Sequence, residues 1–579
     1  MNTSSKNKTT NKWLAEAGTP SAAPTGNSGE NANTNNTTEE DAVIVIESMP
    51  TDLEAFSFRK FMLHMGPGFL MCIAYIDPGN LEADLQTGAF TGYSLLWLLL
   101  LSTACGYFLQ SLSAKLGVTT GRHLAQHCRE RYPTCIRIVL WLVAETAIIG
   151  ADVQEVIGTA IALSLLSGGF IPLWVGVIAA AVSTYIFLFL EKLGIRYLEF
   201  FFQVLVGVMA VSMGLLFFFA DVPYSQVARG FLIPKLDAAA LPTAAALIGS
   251  ILMPHNLFLH SALVHNRALP PSHRTAPLRE TLRYYNFEAA FALCVTLMIN
   301  TSVISVFARG FYQEDESTKE DIGLENAGQY LGAKFGRHFQ LIWGIGLLAA
   351  GQSSTMTGTY AGQYVMSGYL NLRIKPFTRA LVTRAVAIAP TLLVSIYAHD
   401  STRLDVFNQW LNILQAVQLP FAVLPLLALT CDRRVMGIGF VNTRRTAMAA
   451  WGVAAAVMAV NTGTAYQLIG TSIVGSHLLH AVFGIGATCY AGLVVYLLLE
   501  SWLSQRDLPS LLSNARGANG DDDLNDSEGS IVAPLLQEPG SRPLSPARDY
   551  IGQRPGSAQS QLSSGIGSYA IDSGDMSVD

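Results

Sequence analysis

The sequence predicts an all-α integral membrane protein of about twelve transmembrane helices, in which spans 1–5 and 6–10 form an inverted repeat with broken helices at spans 1 and 6. Three observations carry this. Hydrophobic residues fill 51% of the 579 positions and charged residues only 13%, against about a quarter charged in a typical soluble domain. Between Phe61 and Trp502 apolar runs follow one another, each near the ~20 residues that cross a bilayer as helix. A proline interrupts the first run at Pro78 and the sixth at Pro254.

The expected spans lie at about 62–88, 93–115, 136–166, 170–190, 197–220, 240–265, 286–308, 336–366, 378–398, 405–430, 446–462 and 472–502. A transmembrane transport domain is therefore expected over 59–503, between disordered cytosolic tails at 1–58 and 504–579. The first tail is rich in Asn, Thr, Ser and Glu and shows neither the basic nor the apolar region of a secretory signal. The second carries GDDDLNDSEGS and a Ser/Gly/Pro-rich end, and it supplies much of the acid behind the net charge of −6. The seven cysteines show no zinc-ligand spacing and no disulfide framework. Nothing in this layout points to an enzyme, a cofactor or a nucleic-acid partner; the partner in view is the lipid bilayer, with a monomer as the functional unit.

Orientation follows from basic residues in the connecting loops. The loops after spans 2, 4, 6, 8 and 10 hold 18 Lys and Arg, among them Arg122, Lys192, Arg274, Arg379 and Arg433. The opposite loops hold seven, of which four lie in or beside the acidic segment YQEDESTKEDIGLE. The alternation places both termini in the cytosol. The Asn-X-Ser/Thr matches at Asn2, Asn7, Asn35 and Asn36 then lie in the cytosol and Asn300 lies within span 7, so none is a glycosylation site.

The two interruptions are chemically specific. Because five is odd, a five-helix unit repeated in tandem lies upside down in its second copy, and matching breaks in spans 1 and 6 point to a binding site at the midplane. The competing reading is a simple proline kink. In AYIDPGN (74–80), Asp77 offers a hard anionic oxygen and Asn80 an amide oxygen; in ILMPHNLFLH (251–260), Met253 offers a thioether. Unwound backbone can add the carbonyls of Ala74 and Ser250. Magnesium and calcium want all-oxygen shells, whereas a thioether favours softer ions, so this set points to Mn²⁺, Fe²⁺, Co²⁺, Zn²⁺ or Cd²⁺. A divalent cation also offsets what a bare carboxylate costs at that depth, roughly 2.5–3.5 kcal/mol on insertion scales.

Span 3 reads AETAIIGADVQEVIGTA, with Glu145, Asp152 and Glu155 within roughly 80° of one helix face. Three carboxylates on one face of a membrane helix mark a proton relay or a structural pairing, for which Arg384 on span 9 is the available cation. His255 can titrate near physiological pH or hydrogen-bond to an open helix end; His260 is a weaker candidate.

AYIDPGN, MPHNLFLHSALV (253–264) and GQSSTMTGTYAGQYVMSG (351–368), in that order, resemble signatures of the Nramp family of proton-coupled divalent-metal transporters. The likeness runs over about residues 60–500, and DPGNLEADLQTGAFTGYSLLWLL is most similar to plant and algal members. It implies a LeuT-type fold, with metal held between spans 1 and 6 by Asp77, Asn80, Met253 and the Ala74 and Ser250 carbonyls. It also implies a polar ligand from span 10, where Asn412 is the candidate and Gln415 its rival, proton-pathway acids at Glu145, Asp152 and Glu155, and Arg384 near the exit path.

The expected function is thus proton-coupled transport of Mn²⁺, Fe²⁺ and related ions toward the cytosol by alternating access, with metal and protons as cargo. A non-transporting metal sensor on the same membrane domain is the alternative, although the receptor-like relative carries a long folded extension and this tail is about 70 low-complexity residues. A sodium-coupled organic-solute transporter would not need Asp and Met facing each other. An acidic dileucine pattern, DLPSLL (507–512), tilts the expected location toward an endosomal or vacuolar membrane over the plasma membrane.

Overall fold

The computed structural model describes residues 44–45, 61, 66–191, 195–268, 275–312, 322–372, 376–397, 402–437, 439–472 and 477–506. The DLPSLL pattern, most of the acidic loop, and the tails apart from 44–45 and 504–506 lie outside them.

A helix or a pair of helices stands at each of the twelve expected spans. The first is α1 (Pro67–Ile73) with α2 (Pro78–Thr91), and the second is α3 (Leu96–Thr120). After the short α4 (Leu124–Arg131) come the third, fourth and fifth: α5 (Thr134–Leu166), α6 (Leu173–Glu191) and α7 (Ile195–Phe219). The short α8 (Tyr224–Leu232) leads to the sixth, made of α9 (Leu241–Ile251) and α10 (Pro254–Leu263). The seventh, α11 (Thr275–Phe311), is joined through α12 (Leu324–Phe335) to the eighth, α13 (Arg337–Leu370), and the ninth is α14 (Pro376–Tyr397). The tenth is α15 (Thr402–Gln418) with α16 (Pro420–Thr430); past the single turn α17 (Arg433–Met436) follow α18 (Arg444–Ser472) and α19 (His477–Arg506). Apart from a two-residue parallel pairing of β1 (Ile44–Val45) with β2 (Arg267–Ala268), the regular structure among the described residues is helical.

Seven of these helices are long and apolar enough to cross a membrane unaided: the second, third, sixth, seventh, tenth, eleventh and twelfth spans. The other five fall short for visible reasons. The first is cut into pieces of 7 and 14 residues. The fifth passes together with α8, from which it is bent by 114°. The eighth, 34 residues long, is diluted by GQSSTMTGTYAGQ. The fourth and ninth each offer a shorter apolar stretch among the described residues.

Burial departs from that of a water-soluble protein in what joins the apolar core and in what faces outward. Residues 78–89 of α2 and all ten residues of α10 are buried, including Asn80, Glu82, Asp84 and His255, and so is Asp77, which precedes α2. Phe200, Val211, Phe218, Met298 and Met448 each expose more than half their surface on outer helices. Lipid solvates such side chains, so apolar residues go outward and polar groups must find partners within the bundle.

The centre is set by close helix approach. On α13, Gly351, Gly358 and Gly362 are 7 and 4 apart and share one face. A Cβ at Gly351 would strike Thr159 Oγ1 of α5, one at Gly358 would stand 2.9 Å from Asp152 Oδ1, and one at Gly362 would strike the Arg379 guanidinium. Glycine at these positions is what gives the buried charges of α5 and α14 room against α13.

Candidate metal site

Both breaks are built by one device. A proline has no N–H to give the carbonyl four residues earlier. Pro78 therefore leaves the Ala74 carbonyl without its helical donor, and Pro254 does the same to Ser250. Each proline then starts a new helix at its first position, where the missing N–H costs nothing. The residue before each proline becomes the N-cap, in extended conformation: Asp77 for α2 and Met253 for α10. The two side chains expected to hold metal thus occupy equivalent positions in the two halves.

Local hydrogen bonds fix the first break. Asp77 Oδ1 accepts from the Asn80 N–H at 2.7 Å, the usual bond of an acidic N-cap. The Asn80 amide nitrogen donates back to the Tyr75 carbonyl, which leaves its oxygen facing span 6, where the Ser250 hydroxyl lies 3.5 Å away. From the other side Asn256 Nδ2 reaches the Ala74 carbonyl at 3.5 Å. Asn80 with Ser250, and Ala74 with Asn256, thereby tie the two breaks together in one buried pocket of donors. Met253 is 2% exposed and its sulfur makes no capping bond.

Span 10 closes this pocket through a chain of amides. Asn412 Nδ2 donates to the Gly79 carbonyl at 2.9 Å, while its Oδ1 accepts from Gln154 Nε2 at 2.9 Å. Gln415 Nε2 donates to Gln154 Oε1 at 2.9 Å, and Gln415 Oε1 is buried with no hydrogen-bond partner. In this conformation the oxygen of Asn412 is committed and that of Gln415 is available, with the amide orientations assigned from this network. Gln154 is the hub, and the sequence reading passed over it; its signal was an amide between Asp152 and Glu155 on the polar face of span 3.

The carboxylates of span 3 sit along the glycine face of α13. Asp152 and Glu155 are each 2% exposed, and both carboxylates border Gly358. Glu145, two turns earlier, is paired with Arg379, its Oε1 2.9 Å from the Arg379 guanidinium. The sequence offered Arg384 as the cation for this face and counted Arg379 among the loop charges. Arg379 instead lies inside α14, 4% exposed, whereas the side chain of Arg384 lies outside the described residues. His255 and His260 are buried in α10, each with Nδ1 lacking a hydrogen-bond partner. Sequence reasoning also missed Glu82 and Asp84, both fully buried in α2; Glu82 Oε1 accepts from Gln86 at 2.6 Å.

Among the described residues no three of His, Cys, Asp and Glu converge as a metal cluster. The donors at the breaks are of other kinds: one carboxylate, amide oxygens, orphaned carbonyls and a thioether. Such a set suits a borderline dication whose water shell is stripped in part, and it favours no hard ion that demands oxygen alone.

An inverted pair of broken helices around a buried mixed-donor pocket defines a polytopic transporter of the LeuT type. The family described as natural resistance-associated macrophage protein-like, or Nramp, matches residues 68–467. Metal transporter Nramp3.2 of Populus trichocarpa is 50% identical over 459 residues, covering 76% of this chain and 90% of the relative. Metal transporter Nramp6 of Oryza sativa subsp. japonica is 48% identical over 465 residues, covering 80% and 85%. Among solved structures, the manganese transporter of Eremococcus coleocola, in complex with an aromatic bis-isothiourea compound, superposes with a TM-score of 0.72 at 28% identity, covering 81% of this chain and 99% of that one. The chain belongs to the Nramp family.

Proposed function

We propose that this protein carries divalent transition-metal ions, Mn²⁺ and Fe²⁺ with Co²⁺, Zn²⁺ and Cd²⁺ as further substrates, into the cytosol in symport with protons. The observation that carries the reading is the equivalence of Asp77 and Met253, which cap α2 and α10 directly before the two prolines. It sets a charged oxygen and a neutral sulfur at matching points of the inverted repeat. The names of the poplar and rice relatives and of the bacterial structure support metal as cargo.

In the proposed cycle an ion arrives from the extracytosolic side at Asp77, Asn80, Met253 and the Ala74 and Ser250 carbonyls, joined by Gln415 or Asn412. Asp77 holds a proton or the ion, so arrival of the dication displaces positive charge toward Asp152 and Glu155 on span 3. The Glu145–Arg379 pair continues that line of charge two turns further along α5, with Arg384 on the same span 9. His255, the second residue of α10, either shares the proton or satisfies the open helix end. Rocking of the first and sixth spans against spans 3 and 8 then opens the site to the other side.

The termini and the loops after spans 2, 4, 6, 8 and 10 are assigned to the cytosol, with a monomer as the transporting unit and an endosomal or vacuolar membrane favoured. A non-transporting sensor on the same domain is the alternative. Reconstituted full-length protein separates the two. Mn²⁺ uptake into proteoliposomes is expected to rise with an acidic exterior and to fall to background in Asp77→Ala. A wild-type protein that binds Mn²⁺ without moving it, or Asp77→Ala flux equal to wild type, would overturn the transport reading.

A further inference from the structure

The loops after spans 2 and 7 each carry a short helix, α4 and α12, and the cycle above gives neither a task. Seven is two plus five, so the two helices hold equivalent places in the inverted repeat. They are also built alike. Each begins with a fully buried leucine, Leu124 and Leu324. In each, the amide side chain three residues after the N-cap turns back to it. The His123 N–H donates to Gln126 Oε1 at 3.1 Å, and the Gly323 N–H to Asn326 Oδ1 at 2.6 Å. One N–H at each helix start is thereby satisfied within the helix, and the next is left to a partner.

The two helices stand at opposite ends of α13. At its outer end, Trp343 Nε1 donates to the Leu324 carbonyl at 3.1 Å. At its inner end, a Cβ on Gly368 would stand 2.5 Å from both Ala125 Cβ and His123 Cε1, and Tyr364 meets the His123 ring edge-on with centroids 5.8 Å apart. Trp343 and Gly368 are 25 residues apart on one helix, about 37 Å of rise, against a hydrocarbon core of ~30 Å. α12 and α4 therefore serve opposite faces of the membrane.

From α13 each helix reaches a half-helix that starts at one of the two prolines. The Leu124 N–H donates to Ser261 Oγ of α10 at 2.9 Å, and that hydroxyl donates to the Phe258 carbonyl at 2.7 Å. The Leu324 N–H faces the Glu82 carboxylate of α2 as a donor. Gly323 beside it lies so close to α15 that a Cβ on it would strike the Asp405 carboxylate. So α4, which follows the second span, touches the sixth, and α12, which follows the seventh, touches the first. When spans 1 and 6 rock against spans 3 and 8, these are contacts between the part that moves and the part that stays.

We propose that α4 and α12 are the inner and outer latches of the transport cycle, with Ser261 and Glu82 as the positioning residues by which they hold α10 and α2 closed. Opening toward the cytosol parts Leu124 from Ser261; opening toward the other side parts Leu324 from Glu82. In both, a backbone N–H does the holding, so the latch is set by the side chain on the moving half-helix. The proposal rests on the transport reading and its orientation.

The test measures Mn²⁺ uptake by full-length protein in proteoliposomes against external Mn²⁺, with hydrogen–deuterium exchange on the same variants. Ser261→Ala loosens the inner latch and favours the inward-open form, so the KM for external Mn²⁺ rises. Glu82→Ala loosens the outer latch and favours the outward-open form, so that KM falls. A shift of about threefold each way is expected, the order by which one lost polar contact moves a two-state equilibrium. Glu82→Gln keeps an acceptor for Leu324 and should stay near the wild type. Exchange should quicken in α4 but not α12 for Ser261→Ala, and in α12 but not α4 for Glu82→Ala. If Glu82→Ala does not fold, Gly323→Ala, which unseats α12 against Asp405, makes the same comparison. KM values that move the same way or stay put, or exchange that quickens in both helices alike, would overturn the proposal. A wild type without flux fails the transport reading instead, and the exchange pattern alone then decides whether each helix holds its own half-helix.

Discussion

The two breaks share a backbone plan and differ in how their capping residues are used. At the first, Asp77 caps its own helix and Asn80 bonds back across the gap, so the break is closed on itself by two local hydrogen bonds. At the sixth, the cap is Met253, whose thioether does no capping, and the polar groups nearby reach outward: Ser250 toward Asn80, and Asn256 toward Ala74. The first break is therefore tied locally around a carboxylate, and the sixth presents a thioether while its polar groups reach across to the other half. The difference teaches that an inverted repeat can keep the geometry of a site symmetric while dividing its chemistry.

The largest expected effect comes from removing charge while keeping the cap. Asparagine caps a helix about as well as aspartate, whereas alanine gives up about 1 kcal/mol of cap. Asp77→Asn should therefore retain the thermal stability of the wild type and lose Mn²⁺ transport to background, measured by uptake in parallel with a melting curve. Equal transport by Asp77→Asn would mean that the carboxylate serves the helix alone. A smaller effect is expected at the other break. Met253→Ala should keep most Mn²⁺ flux while its preference for Cd²⁺ over Ca²⁺ falls about tenfold, roughly 1.4 kcal/mol, read from competition in the same vesicles. A preference that does not move would remove sulfur from the shell and erase the contrast between the breaks.

The breaks were legible in the sequence because proline, aspartate and amide side chains stand out in an apolar run, and their equivalence follows from counting spans. The family likeness was legible for the same reason. The links between elements were not. Gln154 is one amide on a helix with several polar residues, and only the meeting of α5 with α15 makes it the hub between Asn412 and Gln415. Arg379 reads as a loop cation because it stands at the start of a span; what buries it beside Glu145 is the absence of a side chain at Gly362 on another helix. The short helices α4, α8 and α12 fall in stretches whose polarity reads as loop. The interruption at Pro420 is of a third kind: Leu419 keeps helical angles, with φ −55° and ψ −41°, so span 10 kinks without unwinding.

Anomalous diffraction from crystals of the full chain grown with Mn²⁺ tests the central claim most directly. A single strong peak bonded at once to the Asp77 carboxylate and the Met253 sulfur is the expected result. A well-occupied manganese whose shell includes only one of these two residues, in inward- and outward-open crystals alike, would contradict it.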